Sequence, residues 1–212
     1  LVNARLSEKS FAGWRRAPAF AARVLSTFQT ALAQTGETAG RLTALGAANV
    51  VVTGNLKAAA SPLPAAPEAL AQLTQMIGAR PVFAAARTHG EEEAMVGRAY
   101  AALKASRPEL LLLLAPRHPE RGPEIAETLR GLGLAVSRRG AKVRIVAETN
   151  VYLMDTIGEL GLLYRSAPFA FIGGSLVAHG GQNPLEPARL GVAPLHGPHV
   201  FNFRAEYAEM DA

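Results

Sequence analysis

The chain has 212 residues, no cysteine, a hydrophobic fraction of 49% and 18% charged residues, which excludes a disordered tail, a disulfide-stapled scaffold, thiolate metal sites and cysteine catalysis. Twenty-two Lys and Arg against seventeen Asp and Glu give a net charge of +5, a balance suited to a phosphorylated ligand, nucleic acid or anionic lipid headgroups. Aromatic residues make up only 6% and do not interleave with the basic ones, which argues against a nucleic-acid stacking platform.

Leu1–Leu6 reads as a strand, followed by Ser7 as the N-cap of a helix reaching Trp14. Ala21, Val24, Leu25, Phe28 and Leu32 recur at helical spacing and predict a helix over Pro18–Thr35. Glu37–Leu45 is a second amphipathic stretch closed by Gly46, and Asn49–Thr53 is a β-branched strand broken by Gly54-Asn55. Lys57–Pro67 has no periodicity, carries Pro62, Pro64 and Pro67, and reads as a linker. Glu68–Ile77 is a helix stopped by Gly78.

A second series follows. Pro81–Ala86 is a strand, His89–Lys104 a helix with Glu91, Glu92 and Glu93 in its first turn, and Leu110–Ala115 a strand apolar at every position, as in a parallel sheet covered on both faces. Pro123–Leu132 is a helix; Lys142–Ala147 and Asn150–Met154 are short strands; Ile157–Tyr164 is a helix that Asp155 can cap. Phe169–Ile172 is a strand running into Gly173-Gly174, Pro187–Leu190 begins a helix, and Val192–Leu195 is a further strand. Strands separated by helical segments predict an α/β fold of βαβ units. No uncharged apolar run reaches the ~18–20 residues that span a bilayer. No signal peptide opens the chain, it does not begin with Met, and Glu206–Ala212 reads as a helix still in progress. Both ends look cut, so the chain reads as an internal piece of a longer protein.

Ligands of open α/β sheets bind beyond the carboxyl ends of the strands, and several strand ends here are chemically rich. Thr88-His89-Gly90-Glu91 opens a helix whose free N–H groups suit a phosphate, or Thr88 is a plain cap. Pro116-Arg117-His118-Pro119-Glu120-Arg121 puts a stiff basic loop after the all-apolar strand, and Arg is the usual partner of an anion. Asp155-Thr156-Ile157-Gly158-Glu159-Leu160 offers a glycine that lets a ligand approach the backbone. Gly173-Gly174-Ser175 and Gly180-Gly181-Gln182-Asn183-Pro184-Leu185-Glu186-Pro187 combine paired glycines, which favour phosphate, with a carboxylate suited to a ribose diol. Arg5 and Lys57 follow strands of the first series. His179, His196 and His199 lack metal spacing, and no Walker loop, nucleophile elbow or Gly-x-Gly-x-x-Gly occurs.

Five of these strings, in this order, resemble the 3-deoxy-D-manno-octulosonic acid (Kdo) transferases of lipopolysaccharide synthesis. They are Asn3-Ala4-Arg5-Leu6-Ser7; Gly54-Asn55-Leu56-Lys57; Pro116 to Arg121; Asp155 to Leu160; and the glycine-rich region from Gly173 to Pro187. The resemblance implies a GT-B glycosyltransferase with two Rossmann-like domains facing a cleft. Residues 1–66 would be the carboxyl-terminal half of the acceptor-side domain with its linker, and 67–212 the CMP-sugar domain, truncated at its end. It implies transfer of Kdo from CMP-Kdo to a lipid A precursor with inversion, and no metal or other cofactor. It also implies a cytoplasmic-face, inner-membrane location through an amino-terminal anchor not among these residues. Carried over motif by motif, Pro116, Arg117, Gly158, Glu159, Leu160, Asn183, Pro184, Leu185 and Glu186 would contact CMP, with Glu186 on the ribose hydroxyls. Lys57 would steady the leaving phosphate. Arg5, Thr88, Gly173, Gly174, Ser175 and Gln182 are further candidates.

Two features depart from the family pattern. Its usual Gly-Gly-His-Asn reads Gly180-Gly181-Gln182-Asn183 here, and Gln cannot carry a proton as imidazole can. Its general base, a Glu in a Ser-x-Gly-Glu setting, and a second Glu in a Glu-Thr-Glu-Leu-Trp setting do not occur in these residues; the chain alone is therefore expected to be inactive. The competing expectations are a non-catalytic nucleotide-sugar-binding module and a GT-B enzyme with a UDP-sugar donor.

Overall fold

The uninterrupted apolar run after Glu109 forms the middle of a parallel sheet in the computed structural model, which describes residues 1–56 and 60–211. The chain divides into two compact units, Leu1–Ser61 and Pro62–Ala212.

In the first unit, α1 (Glu8–Trp14) is capped by Ser7, whose hydroxyl accepts from Ser10 N at 3.2 Å. The expected long helix stops early: α2 spans Pro18–Leu25 and is followed by strand β1 (Ala31–Ala33). The hydroxyls of Ser26 and Thr27 fold back onto Arg23 O and Val24 O at the end of α2, offering the last turn side-chain partners in place of further helix. Ala31–Ala33 then pairs in parallel with β2 (Val50–Val52), with α3 (Gly36–Ala44) between them, capped by Thr35. Leu1–Leu6 is not a full strand; it makes a single bridge, Ala4 to Ala33. The core here is small, centred on Ala31, Ala33, Leu42 and Ala47.

The second unit is a six-stranded sheet in the order β5-β6-β4-β3-β7-β8, parallel throughout. Its elements are α4 (Pro67–Ile77), β3 (Val82–Thr88), α5 (Glu92–Lys104), β4 (Leu111–Pro116), a 3-10 turn (Pro119–Arg121) and α6 (Gly122–Gly131). β5 (Val136–Arg138), β6 (Val151–Leu153), α7 (Leu160–Arg165), β7 (Phe169–Ile172), α8 (Leu185–Ala188), β8 (Ala193–Leu195) and α9 (Arg204–Met210) follow. Alternate strand residues face opposite ways. Ala84, Ala86, Leu111 and Leu113 pack with α4 and α7 on one face. Ala85, Leu112, Leu114 and Leu153 pack with α5 and α6 on the other. These two apolar layers make the three-layer, Rossmann-like α/β arrangement.

Several boundaries differ from the sequence expectation. Lys142–Ala147 is an irregular loop; the strand beside β6 is instead β5, just before it in the chain at Val136–Arg138. The chain turns tightly after it, with Lys142 N donating to Arg139 O and Lys142 at φ 57. α5 begins at Glu92, not His89. α7 begins at Leu160, so Asp155 is not its cap; the Asp155 carboxylate instead takes Arg138 at 2.7 Å and Gly140 N at 2.7 Å. Pro187 lies inside α8 rather than opening a helix, which costs no hydrogen bond in a first turn. The boundary between the units falls at Ser61/Pro62 rather than after residue 66. Leu63 and Ala65 pack on the second unit's core, and Arg165 Nη1 donates to Leu63 O at 2.7 Å.

Candidate functional site

All strands of the larger sheet end on one edge, and connections leave that edge in opposite directions where strand order reverses. The reversal lies between β3 and β7, because the chain goes from β3 to β4 on one side and later returns to β7 on the other. A cavity of about 420 Å³ opens here, lined by Arg87 from the end of β3, Pro116 and Arg117 from the end of β4, and Gly158, Glu159 and Leu160 before α7. The structure thus brings together two of the sequence-predicted motifs. The Arg117 backbone N–H donates to Thr88 O at 2.9 Å, fixing the loop, while its side chain is exposed. Gly158 sits at φ 83, a conformation glycine adopts without steric cost. Glu159 accepts from Nε and Nη2 of Arg139 and from the Thr156 hydroxyl. The Arg139 hydrogen bonds push the Glu159 carboxyl below its ordinary range, against the opposing effect of burial. Glu159 also lines a neighbouring depression of about 980 Å³ that Arg139, Lys142 and Arg144 border.

Asn183, Pro184, Leu185 and Glu186 do not line the cavity. Asn183 Oδ1 accepts from Leu185 N at 3.1 Å and so starts α8. Glu186, on that turn, reaches the cavity edge through Arg87, whose Nη2 donates to both carboxylate oxygens at 3.0 and 2.9 Å. Arg87 is squeezed out of the β3–β4 ladder at a register shift between Ala86 and Thr88 and takes φ 57.

The glycine-rich strand end is organised differently from the expectation. The backbone N–H groups of Gly174, Ser175 and Leu176 point at the carboxylate of Glu92 at 2.7 to 3.0 Å, and His89 N adds a fourth bond at 2.9 Å. Glu92 is 0% exposed. A cradle of amides that could have taken a phosphate therefore already holds an internal anion. Gly173 is needed for a different reason: a Cβ there would lie 2.4 Å from Arg87 O. Ser175 Oγ donates to Ile172 O and accepts from Gly197 N, which makes it a buried tie between loops.

Thr88 is buried with its hydroxyl toward the Glu93 carboxylate, and it does not cap α5. Gln182 Nε2 lies 3.1 Å from His89 Nε2, and the His89 ring stacks on His179 at 4.4 Å and meets His118 edge-on at 5.9 Å. Burial, then the neighbouring His179, holds the His89 imidazole below its ordinary pKa. His196 is bonded to Gly197 O and Asp211 rather than to His199, and no described group of His, Asp and Glu could hold a metal. Arg5 is an exposed residue of the first unit. Lys57 lies outside the described residues.

Three participants escaped the sequence reading. Glu92 was visible only as one of three consecutive glutamates, Arg139 as part of a basic run, and Arg87 gives no local signal because its partner is far along the chain.

The 3-deoxy-D-manno-octulosonic-acid transferase (kdotransferase) family model matches residues 1–60. The 3-deoxy-D-manno-octulosonic acid transferase of Bordetella pertussis is 40% identical over 210 residues, which covers 96% of this chain and 48% of that protein. The transferase of Haemophilus influenzae is 44% identical over 124 residues, 58% of this chain and 29% of that protein. Among solved structures, the C-terminal CMP-Kdo binding domain of WaaA from Acinetobacter baumannii aligns with TM-score 0.63 and 40% identity, covering 67% of this chain and 75% of that one. The chain spans about half or less of the length of these curated relatives. It belongs to the 3-deoxy-D-manno-octulosonic acid transferase family.

Proposed function

We propose that the second unit binds the CMP portion of CMP-Kdo, as part of a GT-B glycosyltransferase that moves Kdo onto a lipid A precursor, lipid IVA. The observation that carries this reading is the cavity at the strand-order reversal, where Pro116-Arg117 and Gly158-Glu159-Leu160 share one wall system. The similarity to the CMP-Kdo binding domain of WaaA from Acinetobacter baumannii points the same way.

In this reading an acceptor hydroxyl attacks the anomeric carbon of Kdo from the face opposite the phosphate, so the configuration inverts. The new C–O bond forms as the bond to the phosphate oxygen breaks, and CMP departs with that electron pair. The hydroxyl proton passes to a carboxylate outside these residues, since the Ser-x-Gly-Glu setting is absent from them. Arg117, exposed at the end of β4, supplies positive charge to the leaving phosphate, and the resemblance gives Lys57 the same task. The amides of Gly174 to Leu176 do not share it, because Glu92 occupies them. The chemistry needs no metal in this reading. The chain alone does not turn over, and the whole enzyme works at the cytoplasmic face of the inner membrane; among the described residues no helix is long and apolar enough to cross one.

Calorimetric titration of the chain with CMP, UMP and UDP tests the donor assignment. CMP should bind at least tenfold more tightly than either uridine nucleotide, and Glu186→Ala should weaken it at least tenfold. Equal affinity for UDP, or no CMP binding by the folded chain, overturns the assignment.

A further inference from the structure

We propose that Arg87 is a positioning residue of the nucleotide site, orienting the Glu186 carboxylate so that it accepts the two ribose hydroxyls; this rests on the donor reading above. Glu186 belongs to α8, which is outside the cavity lining, whereas Arg87 belongs to the lining. The link between them is the single nitrogen Nη2, placed between the two carboxylate oxygens at 3.0 and 2.9 Å. An ionised carboxylate accepts about four hydrogen bonds, two on each oxygen. Nη2 uses one on each, and the remaining one on each is the number a vicinal diol requires.

The backbone reinforces this assignment. Arg87 takes φ 57 at a bulge in β3, a conformation that a long side chain holds only when its surroundings impose it. The imposition is visible in the close packing of Gly173 against Arg87 O. Bulges beside sites re-aim a side chain, and here the re-aimed side chain is the one that grips Glu186. Its Nε is buried, and the guanidinium lies beside the buried hydroxyl of Tyr164. Burial first, and then the Glu186 charge, push the Tyr164 phenol above its ordinary pKa, with Arg87 opposing, so the tyrosine remains neutral beside the pair. Held by its strained backbone and by these buried neighbours, the guanidinium has a fixed place for Nη2.

The experiment is titration of the chain with CMP and with 2′-deoxy-CMP. Without substitution, CMP should bind at least tenfold more tightly than its deoxy analogue. Arg87→Ala should weaken CMP at least tenfold, change 2′-deoxy-CMP less than twofold, and so collapse the ratio to below threefold, as Glu186→Ala does. Arg87→Lys, whose ammonium can bridge both oxygens as Nη2 does, should hold the ratio above fivefold. Arg87→Gln, closer in size and uncharged, carries the same expectation as alanine if the alanine variant does not fold. A ratio that stays at tenfold in the alanine or glutamine variant, or equal loss for both ligands, overturns the positioning role while leaving the donor site standing. Failure of the unsubstituted chain to bind either nucleotide overturns the donor reading itself, and the role of Arg87 with it.

Discussion

Glu92 and Glu93 are adjacent, both buried, and should answer the same substitution in opposite ways. Glu92 accepts four backbone N–H groups from two loops. A glutamine there turns one acceptor oxygen into a donor, which then faces N–H groups that also donate. Leaving such groups unsatisfied costs ~1–3 kcal/mol each, so Glu92→Gln should lower the unfolding free energy by ~3 kcal/mol or more. Glu93 faces Arg121 at a long 3.4 Å and the hydroxyl of Thr88, far less support than the four amides give Glu92. Burial pushes its carboxyl above the ordinary range, with Arg121 opposing. A raised folded-state pKa means that the stability Glu93 contributes is fully present below its unfolded pKa and is lost as pH rises through the folded value. Glu93→Gln removes that loss. Its urea midpoint should match the unsubstituted chain at pH 4 and exceed it at pH 7; a lower midpoint at pH 7 would contradict this account.

At the scale of elements, the tightest constraint is where α7 meets the segment before α4. A Cβ on Gly161 would lie 2.0 Å from Pro64 O and 3.0 Å from Leu63 O. Both obstacles are backbone, so neither can swing aside. Gly161→Ala should therefore expel residues 62–65 from the α7 surface, break the Arg165 bond to Leu63 O and cost ~1–3 kcal/mol, as overpacking does. Limited proteolysis should then cut within 60–66 much faster than in the unsubstituted chain; an unchanged cleavage rate would refute the close-packing argument. This junction also marks the limit of what the sequence made legible. β3, β4 and β7 were readable because strands covered on both faces are apolar throughout. β1 was read as helix because Leu32 continues the spacing of α2, and only pairing with β2 decides against it. β5 was missed because Val136-Ser137-Arg138 sits at a sheet edge and carries polar residues, while Lys142–Ala147, more strand-like in composition, has no neighbour to pair with. The site divides in the same way. Arg117 and Gly158 were legible because strand ends in α/β sheets collect ligands. The Glu92 cradle and the Arg87–Glu186 pair were not, because each joins segments more than eighty residues apart through side-chain geometry.

At the scale of the whole chain, the two units carry very different amounts of core. The second has an apolar layer on each face of six strands, with Leu111 to Leu114 fully buried between them. The first has a two-stranded parallel sheet, four buried apolar residues at its centre, and Val51 and Val52 exposed at 44% and 52%. Two strands with one thin layer behind them are marginal in water, and an open edge rich in valine invites pairing with other chains. Residues 62–212 produced alone should therefore unfold in a single cooperative transition, with coincident far-ultraviolet and tyrosine signals. Residues 1–61 alone should lack such a transition and associate as concentration rises. The segment 62–65 belongs with the second piece, since it packs on α7. A second piece that begins at residue 67 should consequently be less stable than one that begins at 62. Equal urea midpoints for the two would mean that the packing of Leu63 and Ala65 contributes nothing, and that the division at Ser61/Pro62 has no energetic basis.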